Sequence, residues 1–253
     1  MSDCILVKDL GEGVALMTLN RAPVNALNPA YLTEIASRLT TLENDACVRA
    51  VVITSAFKVF SAGMDLKEAM NFDLVGQTAA ADGLNNTFAK LYGFPKPVVA
   101  AVNGSALAGG MFFVLAADYS VVREGIKLGL TEIRVGVRFP VGPLEIARDT
   151  LPPGAFRRLL LSGQPLEASR AVELGFVDEV SAPDKLMARA EAVARTYAAL
   201  PPRTFAAVKA QMRAPALKVI EAAIEGKSDP AHSGWFTDET IPAMTAMLDA
   251  TRK

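Results

Sequence analysis

The sequence predicts an α/β core followed by a helical region. Segments with strand character alternate with segments of helical spacing up to about residue 180, and the remainder is helical. The chain has 253 residues, 51% apolar and 21% charged, enough for one large domain or a domain with an appendage around a large globular core. A third observation is Lys96–Asp118, the stretch the rest of the chain serves. Within it, Val98–Val102 is a short apolar run flanked by Pro95, Pro97 and Asn103, which reads as a buried strand. A small-residue turn follows over Asn103–Gly110, and Met111–Ala117 has no polar face, as expected of a buried helix.

In chain order, Ile5–Val7 and Val14–Leu19 read as strands around the turn Gly11–Gly13, and Asn20–Asn28 as loop. Pro29–Leu42 carries a helical stripe at Leu32, Ile35, Leu39 and Leu42, with Asn28 placed to cap it. Ala50–Thr54 is a buried strand, Ser61-Ala62-Gly63 a second small-residue turn, and Thr78–Tyr92 a helix. After the central stretch come strands at Tyr119–Val122 and Ile126–Leu128, a loop over Thr131–Val141, and helices over Gly142–Thr150, Ala155–Leu161, Leu166–Leu174 and Asp184–Ala199. Pro201-Pro202 breaks the chain before a long helix at Phe205–Ile224 and a last one at Ile241–Thr251. Periodicity leaves open whether the core is doubly wound or a spiral of β–β–α turns.

Composition narrows the function. A formal net charge of −1 gives no electrostatic footprint for nucleic acid or an anionic membrane. The two cysteines, Cys4 and Cys47, supply neither a disulfide framework nor metal-ligand spacing. A single histidine, His232, argues against a His-based triad or a multi-histidine metal site. The longest apolar-plus-glycine run, Ala106–Ala117, is too short to span a bilayer. No secretory signal is visible, so a cytoplasmic location is expected, or an organelle matrix if a presequence has been removed.

A strand, a glycine-rich turn and a buried helix leave backbone N–H groups unpaired at the helix start, with no Cβ to block approach at glycine. The helix dipole favours negative charge there. The Asn103–Gly110 turn is therefore a candidate oxyanion site, although such turns also serve packing alone.

Several ordered segments resemble the enoyl-CoA hydratase/isomerase (crotonase) superfamily. They are Pro23-Val24-Asn25-Ala26-Leu27, Val51–Ser55, Phe60-Ser61-Ala62-Gly63-Met64-Asp65-Leu66, Lys96–Asp118, Leu128–Gly136 and Leu161–Val180. The resemblance spans nearly the whole chain. It implies a crotonase-like spiral of β–β–α units over 1–195 that binds acyl-CoA, and a C-terminal helical trimerisation region over 196–253. It also implies a homotrimer or dimer of trimers, with coenzyme A arriving as part of a thioester substrate and no separate cofactor. In that family two backbone N–H groups hold the thioester oxygen, and by motif position they fall here on Met64 and Gly109. The resemblance further points to Val24, Ala26, Ala62, Met64, Asp65, Leu66, Gly109, Phe112 and Thr131 as substrate-binding positions, with Ala62 and the Pro23–Leu27 loop near the adenine and pantetheine.

Hydratases of the family use two glutamates. The position of one falls here on Phe112, three residues past the oxyanion glycine; the other is Glu132, in Leu128–Gly136. Phenylalanine cannot position water, which disfavours hydration. One carboxylate suffices to move a proton from C2 to C4 of a 3-enoyl thioester. Several motifs are similar to mitochondrial-type Δ3,Δ2-enoyl-CoA isomerases: Pro23–Leu27, Leu42–Asp45, Ser61–Leu66 and Leu128–Glu132. The expected activity is thus a 3-enoyl- to 2-enoyl-CoA isomerase in acyl-CoA metabolism. The alternatives are a 2-enoyl-CoA hydratase or another lyase or hydrolase of the family, and a catalytically silent acyl-CoA binder. Glu132 is the only carboxylate between Gly125 and Pro143, and an apolar wall such as Phe112 would raise its pKa. Its bland reading is an exposed loop residue paired with Arg134.

The remaining polar candidates have structural readings. Asp65 and Asp118 suit capping or salt bridging, and Glu145 and Asp149 the surface. Pro140 occupies the position at which some branches place a second acid. Arg134 and Arg138 are left open between CoA phosphates and local acids. Lys209, Arg213 and Lys218 read as a solvated helix face, or alternatively as a contact to the CoA 3′-phosphate. His232 and Trp235 read as packing or lid residues, and Phe236–Met247 as a tail covering the acyl pocket or a neighbouring subunit.

Overall fold

A computed structural model describes residues 3–250, and Thr251, the expected last residue of the final helix, lies outside them. The main sheet holds six strands in the order β1 (Ile5–Asp9), β2 (Val14–Leu19), β3 (Ala50–Ser55), β4 (Val98–Val102), β6 (Tyr119–Arg123) and β9 (Glu179–Ser181). Only the edge strand β1 runs antiparallel to its neighbour. The central strands β3 and β4 are buried along their whole length, as a parallel sheet covered on both faces requires.

Alternation along these strands divides the core in two. Val51 and Ile53 point to the larger cluster, built with α1 (Pro29–Asn44) and α3 (Leu74–Tyr92). Ala50, Val52, Val99, Ala101 and Val121 point the other way, onto Leu186, Ala190, Val193 and Ala194 of α8 (Leu186–Ala198). The expected stripe of α1 is buried, and the Asn28 side chain caps it by accepting from the Tyr31 N–H.

Several features depart from the sequence reading. The apolar run after the glycine turn is a 3-10 turn, Ala108–Met111, followed by one turn of helix, α4 (Phe112–Leu115). Ala108 has φ +46°, a left-handed conformation that interrupts regular helix here. The segment expected as a helix over Leu166–Leu174 begins as the strand β8 (Leu166–Glu167) before α7 (Ala168–Glu173). A short α2 (Leu66–Ala69), capped by Asp65, was not expected.

β5 (Ala106–Leu107), β7 (Lys127–Gly129) and β8 form a second, three-stranded sheet. It is small, but it sets the site. Ala106 pairs with Leu128 and Leu107 with Gly129, while single bridges join Ser61 to Ala106 and Leu27 to Met64. Four segments distant in sequence are thereby laid side by side.

The C-terminal helices pack back on the core. In α9 (Pro202–Glu225), Lys209 and Arg213 are buried, not solvated. Lys209 Nζ lies 2.6 Å and Arg213 Nη2 2.9 Å from the two oxygens of Asp118. Arg213 also donates to the Tyr92 and Ala116 carbonyls and stacks on the Tyr92 ring. This corrects the expectation of an exposed helix face or a phosphate contact at these two residues; Lys218 alone is exposed. The helix α10 (Thr240–Ala250) packs on the Glu132–Val135 turn.

Candidate active site

A cavity of about 470 Å³ opens where the four segments meet. Its walls include Val24, Ala26, Ala62, Met64, Asp65, Leu66, Gly109, Phe112, Thr131 and Glu132, so every site position expected from the sequence faces one space.

The Pro23–Leu27 loop is held by a buried amide. Asn25, fully buried with φ +48°, donates from Nδ2 to Ser55 Oγ at 2.8 Å and to the Phe60 carbonyl at 2.9 Å. Its own carbonyl accepts from Ser61 Oγ, and its Oδ1 accepts from the Arg21 N–H. Ala62 N–H donates to the Val24 carbonyl, joining this loop to the second small-residue turn. Arg21 pairs with Asp65 at 3.1 Å, and Asp65 also accepts from the Glu68 N–H. Asp65 is thus both cap and salt-bridge partner, as expected. The Ser55, Phe60, Ser61 and Asp65 partners that give Asn25 and Arg21 their place at the site lie too far away in sequence for any local pattern to show.

The backbone at Met64 and Gly109 is arranged for donation. Leu27 N–H donates to the Gly63 carbonyl and Asp65 N–H to the Leu27 carbonyl, so in this parallel bridge the N–H of Met64 points to the opposite side. Gly109 lies in the first turn of the 3-10 segment, where N–H groups lack an internal partner, and no side chain caps that end. Gly63, at φ +82°, sits between the two: a Cβ there would lie 2.7 Å from Ala108 Cβ and 3.1 Å from the Gly109 nitrogen. A side chain at 109 would strike Leu27, and one at 110 the Ser61 carbonyl. Glycine is therefore required for the two turns to touch.

Glu132 opens the 3-10 turn Glu132–Val135, directly after the strand paired to Ala106–Leu107. It is 8% exposed, and its Oε2 has no hydrogen-bond partner among the described residues. Burial, opposed only by its own backbone N–H, pushes its carboxyl up to about 8. The bland reading, an exposed glutamate paired with Arg134, therefore fails. Phe112 is buried in the wall of the same cavity, its ring 5.4 Å from that of Phe88 and 6.5 Å from that of Phe139. The position at which a second carboxylate would stand is occupied by aromatic packing.

Trp235, Phe236, Met244 and Met247 complete the cavity, so the C-terminal tail covers it within the same chain. The other polar candidates are engaged elsewhere: Glu145 with Arg148, Asp149 with the Tyr92 hydroxyl, and His232 with Asp82 at 2.7 Å. Arg134 lines the cavity, whereas Arg138 donates to the Gly234 carbonyl. Among the described residues no helix is long and apolar enough to cross a membrane, and no cluster of His, Cys, Asp or Glu is arranged to hold a metal ion.

Residues 9–247 match the model of the enoyl-CoA hydratase/isomerase family. The chain belongs to this family. The spiral α/β fold expected from the sequence is the family's fold, and the human mitochondrial delta3-delta2-enoyl-CoA isomerase superposes with a TM-score of 0.92 at 27% identity, covering 99% of this chain and 98% of that one. A Mycobacterium tuberculosis protein called an enoyl-CoA isomerase with one structure and a probable enoyl-CoA hydratase with another superposes at 0.83, in the first with 31% identity over 90% of this chain and 99% of that one. In sequence, the probable enoyl-CoA hydratase EchA17 of Mycobacterium tuberculosis is 34% identical over 200 residues, 78% of this chain and 76% of the relative. The protein is an enzyme of a family acting on acyl-CoA thioesters, with isomerases and hydratases among its relatives.

Proposed function

We propose that the protein isomerises 3-enoyl-CoA to 2-enoyl-CoA with Glu132 as the single proton shuttle. The observation that carries this reading is the lone, buried carboxyl of Glu132, its Oε2 without a partner among the described residues, in a cavity whose wall holds Phe112 at the second position. Glu132 takes the proton from C2. The electron pair moves into the thioester, whose oxygen becomes the negative end of a dienolate held by the N–H groups of Met64 and Gly109. Protonated Glu132 then returns the proton to C4, leaving the double bond between C2 and C3. No metal or redox step enters. The human isomerase supports the reading by its likeness over nearly the full chain. Hydration of a 2-enoyl-CoA is the second reading, favoured by the hydratase names among the sequence relatives.

The base must be ionised to act. With its carboxyl near 8, roughly a tenth is ionised at pH 7. Log kcat/KM for trans-3-hexenoyl-CoA is therefore expected to rise with unit slope and level off above about pH 8. A plateau already reached at pH 5.5, or no conjugated product at any pH, would overturn the assignment.

Gly63→Ala tests the oxyanion pair. The new Cβ must displace Ala108 and with it Gly109, at a φ of +82° that disfavours alanine. Turnover is expected to fall by roughly 10²–10³, the usual cost of losing one such donor. Turnover within threefold of wild type would mean the Gly63 contact does not hold the donors in place.

A further inference from the structure

A second cavity of about 430 Å³ lies outside the first. Ile133, Phe139, Leu144, Leu160 and Leu161 line it, and it shares Val137 and Trp235 with the cavity that holds Glu132. The Phe112 ring of the inner cavity stands 6.5 Å from the Phe139 ring of the outer one. The two spaces are therefore separated by one layer of side chains. Within that layer the indole of Trp235 is pinned: its Nε1 donates to the Arg138 carbonyl at 2.7 Å, and its backbone N–H to Gln77 Oε1 at 3.0 Å. The carboxylate of the outer cavity is already occupied. Asp229 accepts from Asn85, Val141 and Ala231, and Arg138 donates to Gly234. What remains to a ligand there, apart from the exposed guanidinium of Arg138, is apolar surface sharing Val137 and Trp235 with the wall of the inner cavity.

We propose that Trp235 is the specificity residue for acyl-chain length, closing the inner cavity to chains whose distal end would otherwise run into the outer one. The proposal rests on the acyl-CoA reading of the inner cavity. The occupant it assigns to the outer cavity is the end of a long acyl chain, because the two cavities share a wall and the outer one is lined mostly by apolar side chains, with its one carboxylate already paired.

The test is the affinity of saturated acyl-CoA thioesters, from butanoyl to hexadecanoyl, measured by titration calorimetry. Each buried methylene is worth roughly fourfold in affinity, from about 0.8 kcal/mol per CH₂. In wild type this gain is expected to stop at the length where the chain meets the indole. In Trp235→Ala it continues, so the next two-carbon step gives roughly tenfold or more tighter binding where wild type gives none. Val137→Ala, which thins the same wall and leaves the tail intact, moves the limit in the same direction. Trp235→Phe keeps ring bulk while losing the bond to Arg138, and retains the wild-type limit. An unchanged limit in both alanine variants would overturn the proposal, as would a Trp235→Phe profile matching Trp235→Ala. The first result would point to an outer cavity covered by a second copy of the chain; the second would mean that order in the tail decides the limit. Because the readout is binding, the isomerase reading can fail on turnover while the length limit stands, and the reverse.

Discussion

Glu132→Gln is expected to lower kcat for 3-enoyl-CoA isomerisation by about 10²–10⁴, the contribution of a positioned general base, and to leave acyl-CoA affinity near wild type. The amide keeps the size of the carboxyl and loses only the ability to take a proton. A stability measurement separates this from unfolding. The Glu132 carboxyl is raised to about 8, so between its unfolded value near 4.5 and 8 the native state holds a proton that the unfolded state has released. Stability contributed by the protonated group is complete below about 4.5 and is lost as pH rises towards 8, by about 3 kcal/mol at pH 7. The glutamine variant escapes that loss. Its Tm is expected to match or exceed wild type at neutral pH, with the difference growing up to pH 8. Wild-type turnover in the variant would remove Glu132 from the mechanism, and a lower Tm would mean that its carboxylate is stabilised by a group outside the described contacts.

Asp118→Ala carries the largest expected effect on stability. Asp118 is the carboxylate set between Lys209 and Arg213, and all three side chains are at most 10% exposed. Burial outweighs the attraction of Asp118 and, with the neighbouring Arg213, pulls the Lys209 ammonium down to about 8. Removing Asp118 leaves two buried cations facing each other and an unpaired Val98 N–H, which donates to Asp118 at 2.8 Å. Breaking one side of a buried pair typically costs about 3–5 kcal/mol. At about 2–4 °C per kcal/mol for a chain of this size, Tm is expected to fall by roughly 10 °C. A loss under about 1 kcal/mol in denaturant titration would show that the two cations find water or other partners.

The sequence made the fold legible wherever a segment's environment matched its own pattern. Val98–Val102 is wholly apolar between prolines and Asn103, and it is a strand over those residues. The α1 stripe is buried as spaced, and Asn28 caps it. Legibility ended where distant partners decide the outcome. β5 and β8 are two residues each and exist because β7 pairs with both. Lys209 and Arg213, four residues apart on a helix, look like a solvated face until Asp118, more than ninety residues away, is placed between them. At the site, the family motifs brought every expected position to one cavity. Asn25 remained hidden in its motif, because its role lies in hydrogen bonds to Ser55, Phe60 and Ser61.

On the proposed mechanism, one buried carboxylate in a cavity whose second position is Phe112 makes this enzyme an isomerase. It is tested most directly by giving the purified protein trans-3-hexenoyl-CoA and crotonyl-CoA in separate reactions, followed by mass and by absorbance of the conjugated thioester. The expected result is conjugation of the first substrate without change in mass, and little addition of water to the second. Efficient hydration of crotonyl-CoA, with its gain of one water in mass, would contradict it and require a second water-holding group in a wall that Phe112 occupies.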